Sequence, residues 1–118
     1  MEKAIVVKNE EFLSVILNIS DREIVEIGKN VNEINKNAYM NGYNWEVFLN
    51  YYLQENASEL LIGIQTDPEA GMYAAYYDNS SENEIRAEQL ANTINYLLEN
   101  EEEIYRIVRD NGEEIEWD

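Results

Sequence analysis

The side chains in this sequence that could do chemistry are almost all carboxylates: 25 Asp and Glu in 118 residues, with no His and no Cys. Without His no side chain titrates unperturbed near neutrality to shuttle protons, and without Cys there is neither a thiolate nucleophile nor a soft metal ligand. Zinc centres and Ser-His or Cys-His nucleophile systems are thereby ruled out. The stretch nearest to a cation loop is Asp78-Asn79-Ser80-Ser81-Glu82-Asn83-Glu84, which carries oxygens at alternate positions. It lacks the Gly at the sixth and the Glu at the twelfth position of a calcium loop, and a turn leading into a capped helix accounts for the same residues. Two carboxylates facing across a cleft could hydrolyse a glycoside, yet so many acids produce chance pairs and single out none. There is no Gly-rich phosphate loop, and the eight bases are scattered from Lys3 to Arg109 without forming a track for nucleic acid. No cofactor or metal is expected, and the chain reads as a binding protein rather than an enzyme.

A net charge of -17 says what kind of partner to look for. The field of so acidic a surface repels nucleic acid and anionic membrane and speeds encounters with cationic proteins. A row of acids could also occupy a groove that ordinarily holds phosphates. The charge is uneven: residues 37–85 contain eight acids and no base, and residues 99–118 contain nine acids and two Arg. Seven of the nine Tyr (39, 43, 51, 52, 73, 76 and 77) fall in the first of these blocks, beside Trp45 and Phe48. Aromatics with a polar tip next to acids suit an interface with Lys or Arg across it, whereas the same rings could instead fill a core short of Phe and Met. Any single ring suits the core better, whereas the block as a whole reads as an interface.

The elements that must position these residues follow from periodicity. Ala4 to Val7 and Phe12 to Ile19 are aliphatic runs separated by Lys8-Asn9-Glu10-Glu11, one or two strands and possibly a hairpin; the second run is too continuously apolar for an edge. Ser20 with Glu23 forms a capping-box pattern, and Ile24, Ile27, Val31 and Ile34 share one face of a helix over about 21–36, with Gly28 marking a close contact. Asn41-Gly42 signals a turn and Asn44 a cap for a second helix, whose stripe is Trp45, Phe48, Leu49, Tyr52 and Leu53. Leu60 to Thr66 and Met72 to Asp78 flank Asp67-Pro68-Glu69-Ala70-Gly71 as a β-hairpin. With Thr66 opposite Met72, Tyr73 and Tyr77 share a face with Gly63 and Ala75. Ser81 with Glu84 opens a third helix through Ala87, Leu90, Ala91, Ile94, Leu97 and Leu98. Asn100 begins a fourth helix, in which Glu102 pairs with Arg106 and which Gly112 ends; 113–118 is an acidic tail. The prediction is a single α+β domain over 1–118: a small antiparallel sheet of three to four strands, including the 60–78 hairpin, packed with about four helices. The opening Met1-Glu2-Lys3 followed by Ala4 to Val7 offers no leader core and no spanning run, and the lack of Cys fits a reducing compartment, so a cytoplasmic location is expected.

Asn41-Gly42-Tyr43-Asn44-Trp45-Glu46, a helix, then Asp67-Pro68-Glu69-Ala70-Gly71-Met72-Tyr73 and a following helix resemble immunity protein family 51 of bacterial polymorphic toxin systems, over roughly residues 11–99. The resemblance implies a small cytoplasmic α+β protein that binds and neutralises a cognate secreted toxin domain. Asn41, Gly42, Pro68 and Gly71 read as turn formers and Trp45 as a core anchor. The residues expected at the partner surface are Tyr43, Asp67, Glu69, Tyr73 and Tyr77. Alternatives are an acidic adaptor for a basic protein unrelated to toxins, and an enzyme using carboxylates. No nucleic-acid or membrane partner is expected, and the oligomeric state is left open.

Overall fold

A computed structural model describes residues 2–118; Met1, the first residue of the stretch read above for a leader, lies outside the described residues. The two aliphatic runs are strands β1 (Ile5–Lys8) and β2 (Phe12–Asn18), which pair antiparallel with Ile5 opposite Ile16 and Lys8 opposite Leu13. Asn9 makes their turn by accepting at Oδ1 from the amides of Glu11 and Phe12. Helices α1 (Arg22–Ile34) and α2 (Gly42–Asn56) follow, then a short 3-10 turn at Ser58–Leu61, strands β3 (Gln65–Thr66) and β4 (Met72–Asp78), and helices α3 (Ser81–Glu99) and α4 (Glu101–Asn111). The sheet order is β1-β2-β4-β3, antiparallel throughout, so β2 is central as its sequence requires. Four helices with a four-stranded antiparallel sheet make this an α+β fold.

Leu13, Val15 and Leu17 of β2 and Tyr73, Ala75 and Tyr77 of β4 alternate with less buried neighbours and lie fully inside, where α3 rests on β1, β2 and β4 and α2 rests on β4. Trp45, Phe48, Leu49 and Leu53 from α2 and Leu90, Ile94 and Leu97 from α3 complete that layer. Helix α1 packs on α4, and Gly28 is indeed a close contact, since a Cβ there would stand 3.1 Å from that of Met40.

Several local expectations are corrected. Asp21, not Ser20, caps α1, accepting from the amides of Glu23 and Ile24. Asn41 caps α2 and Ser80 caps α3, each one register earlier or more than the pattern suggested. Arg106 pairs with Glu103 and Asp110 rather than Glu102. The Leu60 to Thr66 segment is mostly not strand: Leu60 begins inside the 3-10 turn, Gly63 takes φ 74°, and only Gln65 and Thr66 pair, with Thr66 opposite Ala75 instead of Met72. A left-handed residue in the middle of the run breaks its pairing, which only Gly permits at little cost. The last six residues remain acidic but are docked: Ile115 is buried and Trp117 Nε1 donates to the Gly112 carbonyl at 3.2 Å.

Both chain ends are fastened by a buried amide. Asn95 Oδ1 accepts from the Lys3 and Ala4 amides at 2.9 and 2.8 Å, while its Nδ2 donates to the Ala4 carbonyl at 3.1 Å. Asn44, expected to cap a helix, lies within α2; its Nδ2 donates to the Tyr39 carbonyl at 2.7 Å and its Oδ1 accepts from the Asp118 amide at 2.6 Å. Buried amides that satisfy several bonds at once rigidify the segments they join.

Candidate binding surface

The five residues expected at the partner surface separate into two groups. Tyr73 and Tyr77 are completely buried, so they are not contact residues of this fold. They do share a face with Ala75, as expected, but α2 and α3 cover that face, and small Ala75 makes room for helix packing rather than leaving the rings in solvent. Tyr77 OH donates to the Leu60 carbonyl at 2.6 Å, anchoring the turn that leads into β3. Tyr43, Asp67 and Glu69 are exposed, Tyr43 by 40%.

The structure brings this second group together. The Gly42 amide donates to the Ala70 carbonyl at 2.9 Å, and a Cβ on Gly42 would fall 1.8 Å from the Glu69 carbonyl oxygen and 2.5 Å from that of Met72. Only glycine lets the first turn of α2 approach the 67–71 loop this closely. Tyr43, next in sequence, therefore stands beside Glu69, and the two sequence motifs that lie 26 residues apart are one corner of the molecule. Around that corner runs a groove of about 320 Å³ between α1 and the loops at 39–41 and 70–71, with Met40 in its wall and Tyr39, 71% exposed, at its lip.

The match to known families decides what this corner belongs to. The family model Immunity protein 51 matches residues 4–113, which includes both motifs and every strand and helix described above. The chain belongs to the Immunity protein 51 family. No curated protein and no solved structure matches it. The family span is wider than the resemblance in the motifs, taking in β1 and α4.

In this Immunity protein 51 chain, sequence reasoning missed a second exposed surface. The side chains that alternate with the buried ones on β1, β2 and β4 point to the sheet's other face, and the register sets them in rows: Ile5 beside Ile16 beside Ala74, then Val7 beside Ser14 beside Tyr76. Ile5 and Val7 are 50% and 46% exposed, and Ser14, Ile16, Ala74 and Tyr76 are half-buried. Phe12 lies edge-on to Tyr76 with ring centroids 5.2 Å apart. The signal was present in the sequence as strands apolar at both odd and even positions. The continuous apolar run is read only as excluding an edge position, and the helices cover one of the strand's two faces.

Most of the bases are held by neighbouring acids. Five of the eight bases are engaged by acids: Lys3 by Asp21 and Glu23, Lys8 by Glu84, Lys29 by Glu26, Arg86 by Glu82, and Arg106 by Glu103 and Asp110. The hydrogen bond from Lys3 holds the Asp21 carboxyl below its usual range, and the same bond raises the Lys3 ammonium. Glu99, Glu101, Glu102 and Glu103 gather where α3 meets α4, beside Lys3 and Tyr96. The Asp78 to Glu84 stretch forms the β4–α3 junction, with Ser80 Oγ accepting from the Asn83 amide. Among the described residues no helix is long and apolar enough to cross a membrane.

Proposed function

We propose that this chain is a cytoplasmic, single-domain immunity protein that binds the toxin domain encoded beside it, one to one, and holds it inactive without any turnover of its own. The observation that carries this reading is the Immunity protein 51 match across residues 4–113. The residues agree with it: no His or Cys is available for catalysis, and the net charge of -17 suits a basic toxin domain and disfavours nucleic acid or membrane as partner. Tyr43, Asp67 and Glu69 belong to a corner exposed for such contact, with Tyr43 as the aromatic and the two acids as partners for Lys or Arg.

Co-expression tests it directly. Cells producing the neighbouring toxin domain are expected to grow when this protein is co-expressed and to die without it. Equal death in both cultures for every toxin encoded nearby overturns the immunity reading and leaves the acidic adaptor as its replacement.

A further inference from the structure

We infer that the toxin domain docks on the open face of the sheet, through an apolar patch of its own ringed by Lys and Arg; this rests on the immunity reading above and adds the surface. Three observations carry it. Across three strands the rows Ile5–Ile16–Ala74 and Val7–Ser14–Tyr76 are apolar except for Ser14, and these strands hold no charge on this face until Asp78 is reached beside Phe12. Its outermost strand, β1, offers Ile5 and Val7 to solvent, and the one Lys in it, Lys8, is drawn to Glu84 of α3 on the helix side of the sheet. Acids border these rows on three sides, with Glu10, Glu11 and Asp78 past one end of the strands, Glu69 beside Met72 at the other end, and Asp67, whose amide donates to the Ala74 carbonyl, on the β3 side; among the described residues no ion pair engages any of the five.

An apolar centre depleted of charge inside a polar rim is the anatomy of a specific interface. The sign of the rim chooses the occupant. A second copy of this chain, docked about a two-fold axis, would bring acidic rim against acidic rim, and like charges juxtaposed across an interface cost several kcal/mol. A basic partner meets the same rim with attraction. The motif corner is continuous with this surface, since Glu69 pairs by its backbone with Met72 at the end of β4.

The double variant Ile5→Lys with Val7→Lys places two cations in the middle of the face and repels a basic partner. Ile85→Lys with Tyr96→Lys, at exposed positions of α3 on the opposite side of the sheet, makes the same change in net charge away from it. Binding to the purified cognate toxin domain is measured by calorimetry, with thermal melts confirming that each variant is folded. The face variant is expected to bind at least about a hundredfold more weakly, and the control within about threefold of the native chain. Should the double variant fail to fold, Ile5→Lys alone, at the more exposed position, is expected to weaken binding about tenfold or more. Native-like affinity of the folded face variant overturns the inference while leaving the immunity reading intact. A native dimer that the face variant dissociates, with toxin affinity unchanged, also overturns it by giving the face to a second copy. Failure of the native chain to bind any toxin encoded nearby overturns the immunity reading and this surface with it.

Discussion

Tyr73 and Tyr77 lie four residues apart on β4 with equal burial and unequal bonding. Tyr77 OH has the Leu60 carbonyl, whereas Tyr73 OH has no partner among the described residues. Tyr77→Phe therefore strands a buried carbonyl and is expected to cost about 1–3 kcal/mol, while Tyr73→Phe removes only an unpaired hydroxyl and is expected to be neutral or stabilising in a denaturant melt. Burial also pushes the Tyr77 hydroxyl up to about 12, against the lowering effect of Arg86, and raises that of Tyr73, with Tyr77 and Glu46 adding to the rise. Groups whose folded pKa lies above the unfolded value near 10 contribute stability that is complete below pH 10 and is lost as pH climbs through the folded pKa. Stability is thus expected to fall above pH 10 by up to about 1.4 kcal/mol per pH unit for each of the two tyrosines, and the double Phe variant to flatten that decline. That these rings share a face was legible from alternation. Which side the helices take was not, because the acids beside them fit a solvated loop and a toxin contact equally well.

At the scale of elements, the meeting of α2 with the 67–71 loop fixes the corner, and Gly42 is its hinge of contact. Gly42→Ala puts a methyl group into the Glu69 and Met72 carbonyls, so loop or helix must move. We expect a loss of at least about 1–3 kcal/mol, the usual cost of overpacking, read as a lowered melting temperature. Element type and order were readable from period and from Pro and Gly punctuation, and β2 was rightly placed inside the sheet. Caps were misplaced because Ser20, Asp21, Ser80 and Ser81 are all good cap residues in adjacent positions, and only the backbone geometry chooses between them. The β3–β4 register came out three residues off because the pairing continues past Pro68, with the Asp67 amide on the Ala74 carbonyl and Glu69 opposite Met72, so the turn is Ala70-Gly71 rather than the whole of 67–71; Gly63, concealed in a run reading Leu-Leu-Ile-Gly-Ile, ends the strand at its other side. The two amides that fasten the chain ends, Asn44 and Asn95, were hidden for another reason: their bonds span 74 and 91 residues. No local pattern carries a contact of that range.

For the whole molecule, the proposed docking gives the acidic shell and the apolar sheet face two separable contributions to binding. The long-range field acts on encounter and the face on residence, since rim charges chiefly change the association rate and its salt dependence. Raising salt from low to physiological levels is therefore expected to slow association in stopped-flow measurements far more than it hastens dissociation. A salt-independent on-rate removes the field from the mechanism. Neutralisation by binding is read out by titrating purified toxin activity with this protein. Activity is expected to fall linearly to zero at one equivalent, immediately on mixing and unchanged thereafter. Activity that persists at saturating protein, or that is progressively destroyed by a small fraction of an equivalent, contradicts neutralisation by binding.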